Sequence, residues 1–239
     1  MKRAAILLML ALGLPAAHAQ QPPQPSSAEA EAKPPVYVPP QRGAPSRRVG
    51  GSSRGASDKL PTVMVLVPDH VGLTVSDTPA LYWYLSKPTA VRIEVTLVDD
   101  RGEAPLIEFA VAKAAGPAVH RIDLARRAVH LKPGIEYQWS VAVVPNPNER
   151  SNDVMAGGVL MRVEEPATVA ARRKAGASKE EIARLLAAEG IWYDSIALYS
   201  ELIEAQPADR KLRAARAALL EQVGLKEVAD FDRHAASQP

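Results

Sequence analysis

Apolar and polar residues alternate along several short stretches between residues 60 and 163, most clearly from Glu136 to Val144. There Tyr137, Trp139 and Val141 fall on one side of an extended chain, and a period of two is typical of a strand with one buried face. Seven strands are predicted, near 63–67, 81–85, 90–99, 106–111, 118–124, 136–144 and 157–163. Their number and spacing favour an immunoglobulin-like β-sandwich over residues 60–163.

After Val163 the apolar spacing changes from two residues to about 3.6, and Ala, Leu, Glu and Arg dominate the composition. This change predicts a small α-helical unit over residues 166–231, followed by a disordered tail over 232–239. Helix starts are expected at Ser178 and Asp209, and helix stops at Gly190, Pro207 and Gly224.

The amino-terminal part has two sections that do not resemble a folded domain. Residues 1–19 combine a basic start, a short apolar run and a small-residue motif at Ala17–Ala19, as in a cleaved signal peptide. Residues 20–59 are predicted to be a disordered leader, rich first in proline and then in arginine and glycine. The proline part should hold the sandwich at a distance from whatever binds the amino terminus.

Charge and cysteine content exclude several functions. The chain has 29 basic and 27 acidic residues, and loss of Lys2 and Arg3 with the signal leaves 27 of each. A net charge near zero gives no indication of nucleic-acid binding. Because the chain has no cysteine, thiol catalysis and thiolate metal sites are excluded.

Few residues suggest catalysis. The four histidines after the signal have no metal-ligand spacing. Asp69 and His70 precede Ser76 and Asp77, which permits a hydrolytic relay, but no GxSxG motif supports a nucleophile. We therefore predict no catalytic residue, no cofactor and no metal.

Two polar segments are candidate partner-binding sites. The leader carries four arginines among glycines and serines: Arg42, Arg47, Arg48 and Arg54. Their guanidinium groups could bind phosphates or carboxylates, and the alternative is that this segment is a solvated linker. The loop from Pro145 to Asp153 concentrates hydrogen-bonding side chains, and its candidate residues are Asn146, Asn148, Arg150, Ser151 and Asp153. Its alternatives are a solvated hairpin and a structural ion pair from Arg150 to Asp153.

Two motifs resemble known folds. Leu131-x-Pro133-Gly134-x-x-Tyr137 resembles the tyrosine corner of immunoglobulin-like and fibronectin type III sandwiches, in which the hydroxyl bonds to nearby backbone. The helical stretch from Gly190 to Pro207 is similar to part of a single tetratricopeptide repeat, so it is expected to pack on the sandwich.

Four longer motifs occur in order along the chain: RGAPSRRVGGSSRG, LVPDHVGLTVSDTPALYWYL, EYQWSVAVVPNPNERSND and EGIWYDSIALYSEL. Together they resemble the bacterial family catalogued as domain of unknown function 928. The resemblance covers about Arg42 to the C-terminus, and it implies an exported protein without supplying an activity.

These observations favour an exported, non-enzymatic binding or scaffold protein, periplasmic or secreted, that mediates protein–protein interaction in the cell envelope. The expected partner is a protein or an anionic envelope component, with neither nucleic acid nor a transmembrane segment after signal cleavage. The alternatives are an enzyme acting on envelope glycans or a hydrolase using Asp69 and His70, and a chaperone that pairs a sandwich edge strand with a client.

Overall fold

The structure, a computed structural model, describes residues 33–40, 60–102, 104–111 and 113–237. The described residues from Pro34 onward belong to one compact unit, Pro34–Pro239. The described part contains eight strands: β1 Val63–Val65, β2 Gly72–Thr74, β3 Ala80–Leu85, β4 Arg92–Asp99, β5 Ile107–Val111, β6 Ala118–Asp123, β7 Glu136–Val144 and β8 Val154–Arg162. Five helices follow: α1 Ala167–Lys174, α2 Lys179–Ala188, α3 Trp192–Ala205, α4 Arg210–Gln222 and α5 Lys226–Ser237.

The strands form two sheets that pack as a sandwich. One sheet has the order β1-β3-β6, and the other has the order β2-β8-β7-β4-β5. All pairs are antiparallel except β2 with β8. The prediction of a β-sandwich followed by helices is therefore confirmed in this general form.

Strand β2 was not predicted. It has only three residues, Gly72–Thr74, all of them buried, so it lacks the alternation that identifies a longer strand. Its place is set by pairing with Leu160–Arg162 of β8, far away in sequence.

The core between the sheets comes from alternating side chains. Val95 and Val141 lie opposite each other on β4 and β7, and both are almost fully buried. Strand β3 is buried at every position because the helices cover its second face. On that face the Tyr84 ring lies 5.3 Å from the ring of Phe231 in α5. The aromatic residues of β3 and β7 are thus part of the core.

The tyrosine corner forms as the motif predicts. The Tyr137 hydroxyl accepts a hydrogen bond of 2.9 Å from the backbone N–H of Lys132. Gly134 adopts a φ of +76°, which a side chain would disfavour, and its N–H donates to the carbonyl of Arg162 at 2.9 Å. The corner thereby connects the start of β7 to the end of β8.

Helix α3 joins the helices to the sandwich. The Trp192 indole N–H donates to the Leu66 carbonyl at 2.8 Å, and the Tyr193 hydroxyl donates to the Val159 carbonyl at 3.2 Å. Asp194 accepts the Val75 N–H at 3.0 Å, and burial raises the pKa of its carboxyl. One core cluster therefore extends from the sandwich into α2–α5, and a second cluster joins β2 and β8 to α1 and α2.

The helix boundaries follow the predicted signals, except at the C-terminus. The Ser178 hydroxyl caps α2 by accepting the N–H of Glu181 at 3.1 Å. Residues 232–239 were predicted to be a disordered tail, yet α5 extends to Ser237. Asp232 is fully buried and accepts two hydrogen bonds from Arg216, at 2.8 and 2.7 Å. This long-range ion pair holds a segment whose composition alone suggests disorder.

Part of the predicted leader packs on the folded unit as an N-terminal strap, Pro34–Pro40. Tyr37 is 6% exposed, and its ring meets the Trp192 ring edge-on at 4.8 Å. Its N–H donates to Gln222 Oε1 at 2.9 Å, and the N–H of Val38 donates to the Ala187 carbonyl at 3.1 Å. The strap thus lies against the fold, which corrects the predicted free leader at these residues.

Gly190 fits two requirements at the strap. Its φ of +76° ends α2, and an added Cβ would stand 2.9 Å from the Val38 carbonyl oxygen.

Within the described residues, no helix is long and apolar enough to cross a membrane.

Candidate functional site

The two longer edge strands of the sandwich lie along the same groove. Of the four edge strands among the described residues, β1 and β2 have three residues each, whereas β5 has five and β6 has six. Side chains from both β5 and β6 line a space of about 600 Å³. We call this space the β5–β6 groove.

The floor of the groove is apolar because both strands turn alternate side chains toward the core. Phe109 and Val111 of β5 pair with Val95 and Ile93 of β4 and are only partly buried. The groove is lined by Trp83, Val95, Phe109, Val111, His120, Arg121, Ile122, Asp123, Arg126, Arg127 and Glu204. Of the apolar lining, Phe109 and Val111 are partly exposed, whereas Trp83, Val95 and Ile122 are almost fully buried. No further strand covers this side of the sandwich in the described part.

His120 stacks on a core aromatic residue. Its ring centroid lies 4.4 Å from that of Trp83, with 22° between the ring planes. Its Nε2 lies 2.7 Å from the Ala115 carbonyl oxygen, and a carbonyl can only accept, so the ring proton is on Nε2. Burial lowers the pKa of His120, which keeps the ring neutral at pH 7.

The rim of the groove carries arginines from β6 and from the 3-10 helix Ala125–Arg127. The side chain of Arg126 is 87% exposed and lies 3.6 Å from Asp123. The guanidinium carbon of Arg127 lies 3.2 Å from the centre of the Phe109 ring. Arg121 pairs with Asp123 at 3.4 Å and with Glu201 at 3.9 Å. The end of the groove near this 3-10 helix therefore has two arginines accessible to an anionic group.

The polar loop between β7 and β8 is held together by its own side chains. Arg150 Nε donates to Asp153 at 2.7 Å, and Arg150 Nη2 donates to Glu94 at 2.8 Å. These carboxylates raise the pKa of Arg150. Asn146 Oδ1 accepts the N–H of Asn148 at 3.0 Å in a local turn.

The structure therefore forms the ion pair that the sequence offered as one alternative for the loop. Ser151 is exposed in a 3-10 helix, Arg150–Asn152. None of the five candidate loop residues lines the β5–β6 groove. The four candidate arginines of the leader, Arg42, Arg47, Arg48 and Arg54, lie outside the described residues.

The residues of the candidate hydrolytic relay do not form one site, because Ser76 and Asp77 do not line the pocket of Asp69 and His70. His70 Nε2 lies 3.2 Å from the Tyr37 hydroxyl, and His70 Nδ1 lies 3.0 Å from the Val71 carbonyl. Asp77 instead contacts His130 at 3.0 Å, an interaction that lowers the pKa of Asp77. Asp69 and His70 do line a pocket of about 540 Å³ beside the strap.

Sequence reasoning did not single out the groove residues Phe109, His120, Arg126 and Arg127. Two local features of the sequence indicate this surface. Strand β5 has neither Lys nor Pro, the residues that often block pairing at a sheet edge, and an Arg-Arg pair follows β6 directly. Among the described residues, no group of three or more His, Asp or Glu side chains could hold a metal ion.

Comparisons with known proteins place the chain in one family. The family described as Domain of Unknown Function (DUF928) matches residues 49–232. No curated protein matches the sequence. Among solved structures, the chain is similar to a multi-domain immunophilin from Arabidopsis thaliana, at 10% identity and a TM-score of 0.20, over 80% of this chain and 100% of that chain. That likeness is too low to carry an argument. The match over residues 49–232 confirms the resemblance found in the sequence, and the chain belongs to the DUF928 family.

Proposed function

We propose that this protein is an exported, non-enzymatic binding protein of the cell envelope that holds a protein partner in the β5–β6 groove. The observation that carries the proposal is the groove itself, an apolar floor open between two edge strands with arginines on its rim. Partly buried core residues beside unpaired strand edges are a common setting for recognition of another chain.

We further propose that the sandwich is immunoglobulin-like. The order β1-β3-β6 corresponds to strands A, B and E of that fold, and β8-β7-β4-β5 corresponds to strands G, F, C and C′. The hydrogen bond from Lys132 to Tyr137 at the start of β7, the strand that corresponds to F, supports the same assignment. Strand β2 is then an additional strand, parallel to β8.

The test is quantitative capture from envelope extract at low and high salt, with the full chain and two variants as bait. Phe109→Ala removes part of the groove floor, and Met155→Ala removes a side chain of β8 that is 45% exposed and does not line the groove. We expect the same partner to be captured by the full chain and Met155→Ala and to be lost with Phe109→Ala. Thermal melts of both variants identify any loss of capture that results from unfolding of the variant. Equal capture by the two variants would rule out the groove.

A hydrolase remains the second candidate because Asp69 and His70 line one pocket. In this proposal His70 acts as the base, after release from the Tyr37 hydroxyl. Turnover of a fluorogenic ester and of cell-wall glycan, compared between the full chain and His70→Ala, tests it. Turnover that His70→Ala abolishes supports the hydrolase, whereas equal turnover or none removes it.

A further inference from the structure

We infer that the partner in the β5–β6 groove is an extended peptide segment that adds as a strand beside β6, with acidic residues at its amino-terminal end. This inference rests on the proposed function and specifies the chemistry of its partner. Three observations carry it: the free edge of β6, the two-sided lining of the groove and the position of the arginines.

The first observation concerns the edge of β6. Ala118–Asp123 pairs only with β3, from Ala118 opposite Leu85 to Asp123 opposite Ala80. The opposite edge pairs with no strand in the described part of the chain. Six residues span about 20 Å, enough for a strand of ordinary length. In the proposed immunoglobulin-like order, the vacant position beside this strand is that of strand D.

The second observation concerns the lining. His120 and Ile122 belong to the inward face of β6, whereas Arg121 and Asp123 belong to its other face, and all four line the groove. The open space therefore lies beside the strand edge and extends to both faces of the sheet. A peptide there would direct alternate side chains toward Phe109 and toward Arg121, as a strand with one apolar face does.

The third observation concerns the charge of the added peptide and the direction in which it runs. Arg126 and Arg127 follow the C-terminal end of β6, and Arg127 packs over Phe109 with no carboxylate partner among the described residues. Neighbouring strands of the proposed sheet are antiparallel. The amino-terminal end of an added strand therefore lies beside these arginines, where Asp or Glu would form charge-assisted hydrogen bonds.

The probe is a fluorescently labelled peptide, DEVTVTVT, titrated into the full chain and followed by anisotropy. We expect binding that weakens about tenfold or more with the peptide KKVTVTVT and with the double variant Arg126→Glu/Arg127→Glu. The peptide DEVTPTVT has a proline in the strand and should not bind. The matched control Arg172→Glu/Arg173→Glu reverses two arginines of α1, outside the groove lining, and should leave affinity unchanged.

Hydrogen exchange locates the peptide on the fold. With DEVTVTVT bound, amides of residues 118–123 should become protected, whereas those of 154–162 should not change. Protection confined to 107–111, or equal affinity for the charge-reversed peptide, would overturn the inference. Protection of 118–123 without peptide that rises with protein concentration would identify a second copy as the occupant and also overturn it.

An acidic polysaccharide, polygalacturonate, is tested in parallel. Its binding without protection of β6, together with failure of the peptide, would assign the groove to a glycan. If the peptide fails while Phe109→Ala still abolishes capture from extract, the proposed function stands and only the strand-addition inference fails. If both fail, the groove has no binding role.

Discussion

The indole N–H of Trp139 on β7 donates a 3.0 Å hydrogen bond to the hydroxyl of Tyr193 at the start of α3. Both side chains are buried, and the same hydroxyl donates to the Val159 carbonyl of β8. One phenol thus bonds to two buried polar groups of the five-stranded sheet, although Tyr193 lies 54 residues after Trp139 in the sequence. Burial raises the pKa of Tyr193, so the hydroxyl keeps its proton throughout the physiological range.

Tyr193→Phe should lower the free energy of unfolding by about 1–3 kcal/mol, because it leaves the Trp139 indole N–H buried without its acceptor. Chemical denaturation measures the change. The control is Tyr82→Phe, since the Tyr82 hydroxyl is buried and has no hydrogen-bond partner within the described residues. Tyr82→Phe should leave the free energy of unfolding unchanged. Equal decreases in the two variants would contradict the bridging role of Tyr193.

Tyr37→Ala should release the strap and lower the free energy of unfolding by about 3 kcal/mol, the scale for truncation of a buried aromatic side chain. Hydrogen exchange of the amides of Tyr37 and Val38, together with denaturation, measures the effect. The control Val36→Ala alters a neighbouring side chain that is 60% exposed and should change neither quantity. An unchanged stability in Tyr37→Ala would mean that the strap does not contribute to the fold.

Asp232→Asn should destabilise the protein by about 3–5 kcal/mol, because it leaves the Arg216 guanidinium buried without its charge partner. Arg213 also lies 3.6 Å from Asp232, which adds to the uncompensated charge. The double variant Arg216→Met/Asp232→Leu should recover much of the loss. For comparison, Glu165→Gln breaks the partly exposed pair with Arg173 and should cost less than about 1 kcal/mol. A similarly small effect of Asp232→Asn would show that the end of α5 is not anchored.

Local signals in the sequence predict much of this fold. The corner around Tyr137 is specified within seven residues, from Leu131 to Tyr137, and it forms its hydrogen bond. The helix starts at Ser178 and Asp209 are equally local, since each depends on a side chain that caps the next turn. Such features can be predicted because the residues that determine them are neighbours in sequence.

The strap and the groove depend instead on distant residues. Tyr37 is buried by Trp192 and bonded to Gln222, while its own neighbours are prolines and valines that suggest an exposed spacer. Strands β5 and β6 were predicted as strands, but only the order of the sheets makes them edges of one groove. The polar loop was located correctly, yet Glu94, the second partner of Arg150, lies 56 residues before it.

The arginines of the leader give a further prediction. Replacing Arg42, Arg47, Arg48 and Arg54 by serine should weaken association with an acidic partner at low salt, because exposed charge–charge attraction is screened as salt rises. The melting temperature should stay nearly unchanged. The amount of partner retained by the immobilised protein measures the association, and a thermal melt measures the melting temperature. Unfolding of this variant would mean that the leader arginines belong to the fold.

The most direct test of the β5–β6 groove is photo-crosslinking in living cells, with a photoreactive residue in place of Val111 or Met155. Val111 lines the groove, whereas Met155 is an exposed residue of β8 and does not line it. A partner in the groove predicts a discrete crosslinked adduct from position 111 that is absent from position 155 and is lost with Arg126→Glu/Arg127→Glu. The same adducts from both positions, or none from position 111, would contradict the account.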